Sequence, residues 1–241
     1  MNDPQPTAIE QRLFAATLTF LGLLLIGDLM FIALHGLYAW SPWLNERYFS
    51  VEDEGGLAEQ YQYVKQVWLI SCLGIAFLST RLPVYLGWGA LFCFLLLDDA
   101  LQFHERLGEM VAQQLNFPAV VGMRPGDIGE IAVAAMIGVC VVAFVLLNAF
   151  CGSAHARHLS QDLLCLLAML GLFGVVFDAV HTVLFFGKNA LESGLALLED
   201  GGEMVVISAI TAYVFDIACN EGQLRVSIWS RLRHKTRPGG S

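Results

Sequence analysis

The sequence predicts an all-α polytopic membrane protein, a bundle of six transmembrane helices with both termini cytoplasmic. Three observations lead there. Of 241 residues, 56% are hydrophobic and only 15% are charged, whereas soluble domains carry roughly 25% charged residues. Six segments are apolar over the length of about 20 residues that a helix needs to cross a bilayer. The basic residues are also unevenly shared between the two sides. Arg12, Arg81, Arg157, Arg225, Arg231, Arg233, Lys235 and Arg237 fall inside, and Arg47, Lys65, Arg106, Arg124 and Lys188 fall outside. That bias follows the positive-inside rule.

The first span covers residues 13–40. It is preceded by Glu10 and Arg12 and lacks a small-x-small cleavage site before Ser41, so it is expected to be a retained helix rather than a secretion signal. Trp40, Trp43 and Tyr48 suit an interfacial aromatic belt, and the outer loop then turns acidic at Glu46, Glu52, Asp53, Glu54 and Glu59. The second and third spans cover 63–80 and 84–103. Residues 105–115 are expected to continue the third helix past the membrane edge. Pro118, Gly122, Pro125 and Gly126 then turn the chain back. The fourth span, 128–150, opens on Asp127 and Glu130, for which the positive end of a helix dipole is reason enough. The fifth and sixth cover 163–186 and 195–219. One six-helix domain (1–220) is therefore followed by a basic cytoplasmic tail (221–241).

In that tail Ile228, Trp229 and Leu232 interleave with Arg225, Arg231, Arg233 and Lys235, which suits an anionic inner leaflet. The expected partners are membrane lipids. The net charge of −9 comes largely from the outer loop and the intramembrane acids, and no nucleic-acid partner is expected. The six cysteines form no C-x-x-C pair and are read as small apolar fillers.

The informative irregularity is that apolar runs are broken by acids: LFCFLLLDDALQFHE, LFGVVFDAVHTVLFF and ALLEDGGEMVVISAI. Ionisable groups inside a membrane mark functional sites and need partners. Helix phase gathers them. Asp28 and His35 share a face of the first span. Asp98, Gln102, Glu105 and Glu109 form a stripe on the third, Asp178 and His181 lie one turn apart on the fifth, and Glu192, Glu199 and Glu203 share a face of the sixth. The helical rise of about 1.5 Å per residue brings most of them to the outer half of the bundle, with Asp28 near mid-depth.

Carboxylate plus imidazole suits Zn, Mn or Fe. The expected ligands of a divalent metal are Asp98, His104, Asp178, His181, Glu199 and Glu203, with Glu105 or Glu203 as general base. Asp28, His35, Gln102 and Glu130 are secondary candidates. The competing reading makes the acids protonated structural groups, whose pKa burial would raise.

The segments L-D-D-A-L-Q-F-H-E (97–105) and L-E-D-G-G-E-M (198–204) resemble paired signatures in uncharacterised bacterial multi-spanning membrane proteins. That resemblance implies the bacterial inner (plasma) membrane and brings no activity with it. Ceramidase-like seven-span hydrolases also combine acids and histidines in the membrane, but their His-x-x-x-His pair is missing here.

Three functions follow from these residues. The first is a metal-dependent membrane enzyme, open to the outer side and acting on a lipid or lipid-linked substrate. The second is a proton or divalent-cation transporter, and the third a metal-stabilised structural or sensory protein. Residues 163–176 and 84–97 contain no Asp, Glu, Lys, Arg or His. The site is therefore expected to be one-sided, which favours the enzyme.

Overall fold

The computed structural model describes residues 7–40, 47–51, 55–118, 124–177 and 190–222, which are helical, with no strand among them. The helices are α1 (Ala8–Trp40), α2 (Leu57–Thr80), α3 (Pro83–Leu101), α4 (Phe103–Leu115), α5 (Pro125–Cys151), α6 (Ala154–Gly171) and α7 (Ala190–Cys219). All but α4 are long and apolar enough to cross a membrane. The beginning of α1 and the end of α7 lie on one face, here the terminal face. Thr17 of α1 donates to Asp216 of α7 at 2.8 Å, and the Tyr85 hydroxyl of α3 donates to the Gly222 carbonyl at 2.7 Å. The opposite face is the distal face.

α2 and α6 begin furthest ahead of the starts that hydropathy predicts. α2 starts at Leu57 rather than 63 because Gly56 supplies an extended N-cap. Glu59 in the first turn accepts from the Gly55 N–H and the Tyr63 hydroxyl, which also suits the helix dipole. α6 starts at Ala154 rather than 163, where the Ser153 side chain accepts from the Ala156 N–H at 3.2 Å. Both starts are polar, so a hydropathy window passes over them.

α3 does not continue into the next segment. Gln102 takes a left-handed conformation (φ 52°, ψ 43°), its N–H bonds back to the carbonyls of Asp98 and Asp99, and α4 starts afresh at Phe103. That conformation costs about 1–2 kcal/mol for a residue with a Cβ. The break corrects the expected single stripe, because Glu105 and Glu109 stand on a separate helix from Asp98. α6 also changes: after Gly171 it widens into a π-helical turn, Leu172–Phe177.

α7 is the central helix and packs against α1, α2 and α6. The main apolar core lies between α2, α3, α6 and α7, where Leu69, Leu73, Trp88, Phe92, Leu163 and Ile210 are buried. α1 buries a narrow stripe, Thr17, Leu24, Asp28 and His35, at helical spacing. Its other side exposes Leu18, Ile26, Leu29 and Leu37, as a lipid-facing helix does.

α4 folds back on α5 as a tight hairpin. A Cβ on Gly129 would overlap the Gly108 carbonyl oxygen, and one on Gly108 would lie 2.6 Å from the Glu130 backbone nitrogen. Backbone meets backbone there, so nothing flexible can yield. Gly129→Ala is expected to lower stability by about 1–3 kcal/mol through overpacking. A thermal melt of detergent-purified protein checks it, and an unchanged melt would mean that the hairpin is looser than its backbone contact requires.

Candidate functional site

One fully buried charged group is one that hydropathy assigns to the outer edge. Lys65 lies eight residues into α2, about 12 Å along the helix from Leu57, and its side chain is fully buried. Its ammonium donates to Asp28 Oδ1 of α1 at 2.7 Å, to the Met204 carbonyl of α7 at 2.8 Å and to Ser208 Oγ of α7 at 3.1 Å. An ammonium has three N–H donors, and all three are engaged. Ser208 donates in turn to Asp28 Oδ2 at 2.6 Å, closing a ring of three side chains from three helices.

The surroundings keep this ring dry. Leu24, Leu69, Met204 and Ile207 are almost entirely buried. The Tyr61 ring lies 4.8 Å from Lys65 Nζ, a cation–π contact, and its hydroxyl donates to the Leu24 carbonyl at 3.3 Å. Thr211 Oγ1 lies 3.4 Å from the Lys65 carbonyl, extending the α2–α7 contact by one turn. Asp28 thus pairs with Lys65 across the α1–α2 contact.

His35 sits two turns further toward the distal face and faces the same way as Asp28. Its Nδ1 accepts from the Val51 N–H at 3.2 Å and lies 3.4 Å from Ser50 Oγ. A backbone N–H can only donate, so this ring nitrogen is unprotonated. The imidazole therefore pins the loop after α1 and offers no Nδ1 lone pair to a metal.

The other candidate acids are spread over α3, α4, α5 and α7. Asp98 is 8% exposed on α3. Glu199, Asp200 and Glu203 are half-buried on α7. The Glu203 carboxylate packs onto Gly174 in the π-helical turn of α6, where a Cβ would overlap its Oε1. Glu105 is half-buried on α4, while Glu130 lines a hollow between α4 and α5 with Glu109 and Asp127. Asp127 is taken up locally: its Oδ2 accepts from the Arg124 N–H and its Oδ1 from the guanidinium, at 2.8 and 3.0 Å.

Among the described residues, no three of His, Cys, Asp and Glu come together as a metal would require. Asp178, His181 and the side chain of His104 lie outside what the structure describes.

The terminal-face half is not bare. Segments 163–176 and 84–97 do lack Asp, Glu, Lys, Arg and His, but polar groups reach this half from α7 and from the start of α6. Asp162 is fully buried and accepts from the Tyr213 hydroxyl at 2.9 Å. Asp216 accepts from Thr17. Trp88 Nε1 donates to Ser160 Oγ at 3.1 Å. His155 Nε2 is 2.7 Å from the Tyr85 hydroxyl. That hydroxyl's only proton goes to Gly222, so the imidazole must be the donor. Ser208, Tyr213 and Asp216 span eight residues of α7, about 12 Å of the bundle. Buried polar groups thus lie on both sides of the Lys65 ring, where a bare terminal-face half was expected.

Sequence reasoning missed Lys65 because hydropathy fixed the start of α2, and a lysine beside Gln62, Tyr63 and Gln66 looks interfacial. The available signal was Asp28 itself. An acid isolated at mid-depth needs a buried cation, and Lys65 is the lysine nearest to it in sequence.

A family model described as "Domain of unknown function (DUF8692)" matches residues 23–217. The match covers most of the chain, including Asp28, Lys65 and Ser208, and the chain belongs to that family. No curated protein and no solved structure matches it.

Proposed function

We propose that this integral membrane protein is a proton-linked carrier whose exchange centre is the Lys65–Asp28–Ser208 ring. The observation that supports it is the full burial of a lysine and an aspartate against each other where three helices meet. Ionisable pairs at that depth occur where ions or protons pass. The ring joins a carboxylate, an ammonium and a hydroxyl by hydrogen bonds, so a proton has a bonded route around it. Polar groups continue along α7 toward the terminal face and through His35 toward the distal face. The test is proton movement into proteoliposomes under an imposed pH gradient. It is expected with the native chain and expected to be lost with Asp28→Asn.

The orientation belongs to the same reading. With Lys65 inside the bundle, four of the five outer basic residues remain against eight, so the terminal face is cytoplasmic. The membrane is the bacterial inner membrane, with the basic tail on its anionic leaflet. Single cysteines replacing Arg124 and Arg157, in a background free of native cysteine, report this directly. Arg124 is expected to react with an impermeant maleimide in intact cells and Arg157 only after permeabilisation. The reverse pattern would invert the protein.

A second reading keeps the metal-dependent enzyme acting on a lipid or lipid-linked substrate. A specific observation favours it: both backbone interruptions fall beside acid–histidine segments. The break at Gln102 separates Asp98 from His104 and Glu105, and the π-helical turn ends one residue before Asp178. π-Helical turns recur at functional sites, and irregular backbone at membrane depth is tolerated where it is buried in protein or lines a cavity. The Zn, Mn or Fe centre would draw on Asp98, His104, Asp178, His181, Glu199 and Glu203, and elemental analysis of purified protein decides whether one is present.

A further inference from the structure

Around Lys65 Nζ the protein has built a small oxygen cage. A carboxylate oxygen of Asp28, the main-chain carbonyl of Met204 and the hydroxyl of Ser208 lie 2.7, 2.8 and 3.1 Å from one point. Every donor in that set is a hard oxygen, and two of the three carry no charge. Carboxylate, carbonyl and hydroxyl oxygens are what hard cations take from proteins, and backbone carbonyls coordinate Na⁺ in membrane carriers. The point itself is occupied by a cation on a tether, the Lys65 ammonium.

Charge decides which free cation could replace it. The cage holds one carboxylate, and its surroundings are dry. A monovalent ion leaves the site neutral, as the ammonium does, whereas a divalent ion would leave an uncompensated buried charge, which is strongly unfavourable.

We propose that this cage is an exchange site for a monovalent metal cation such as Na⁺, taken up as Lys65 gives up one proton. This rests on the proton-linked reading and names its second substrate. In the step an N–H bond of Lys65 breaks and the proton leaves to water. The neutral amine withdraws, and the cation takes over the three oxygens. The site is neutral before and after, and one cation enters for each proton that leaves.

Other titratable groups stand on the elements that form the cage. They are His35 on α1, Tyr61 on α2, whose ring lies under the ammonium, and Glu203 on α7, which precedes Met204 and packs onto Gly174 of α6. Variants at the cage separate its protons from theirs.

The experiment uses the full chain, purified in detergent and weakly buffered with a pH indicator. NaCl is expected to release protons from the native protein, up to one per chain, and choline chloride is expected to release none. Lys65→Met is expected to release none with either salt, yet to melt at a higher temperature in NaCl than in choline chloride, because Na⁺ then occupies the cage. Ser208→Ala removes one oxygen without removing charge and is expected to raise the NaCl needed for half-release several-fold. Proton movement in liposomes that depends on Asp28, together with no Na⁺-driven release and no Na⁺ effect on Lys65→Met, would overturn the cation site alone. Loss of all Asp28-dependent proton movement would overturn the carrier reading with it.

Discussion

Lys65→Met is expected to lower the stability of the folded protein by about 3–5 kcal/mol, because it leaves the Asp28 carboxylate buried without its counter-charge. The double variant Lys65→Met with Asp28→Leu is expected to recover most of that loss. Replacing both members of a buried pair with apolar groups of similar size removes the desolvation penalty together with the attraction. Denaturant titration in detergent, followed by circular dichroism, measures both. If the single variant were as stable as the double, the pair would not be the enclosed ring that its distances describe. Ser208 would keep one orphaned role in the double variant, so full recovery is not expected.

Asp28→Asn and Glu203→Gln are expected to behave oppositely. The first takes the charge out of the ring and should bring proton movement in proteoliposomes to background, while any bound metal stays in place. The second removes a charge that is not among the hydrogen-bonded members of the ring and should leave proton movement near native, because the Glu203 carboxylate packs onto Gly174 of α6. If Glu203→Gln stops proton movement and Asp28→Asn does not, the exchange centre belongs among the distal acids. If neither variant alters it but Glu203→Gln loses a metal, the enzyme reading takes first place.

Most of the architecture was legible in the sequence because hydrocarbon is a demanding solvent. Six apolar stretches have few alternatives to six helices, and each was located to within a turn or two at the ends set by apolar residues. The ends set by polar residues were not. α2 and α6 start six and nine residues before their hydropathy does, since a helix continues wherever its backbone bonds are satisfied. Their first turns contain Ser153, Glu59 and Gln60, which suit an interface and leave no apolar trace. The break at Gln102 escaped notice because it uses a left-handed glutamine in place of the glycine or proline that sequence reasoning watches for.

The candidate site divides in the same way. Phase placed Asp28 and His35 on one face of α1, and both are buried there. It could not say that the partner of Asp28 comes from α2, because that pairing depends on which helices become neighbours. Tyr213 with Asp162 and Thr17 with Asp216 were hidden for the same reason, each joining residues far apart in the chain.

The ring around Lys65 also imposes an order on how the protein is made. α1 and α2 enter the bilayer first, one with a buried acid and the other with a buried base, and insertion of a mid-span lysine alone costs about 2.5–3.5 kcal/mol. As a hairpin the two neutralise each other, so neither has to wait outside. Two of the three Lys65 N–H groups nevertheless find their acceptors only on α7, which is synthesised long after α2. Until then the hairpin is inserted but unfinished, and a chain halted before Met204 displays an incompletely solvated lysine to whatever proteases survey the membrane. α7 therefore acts as a completeness check on α1 and α2.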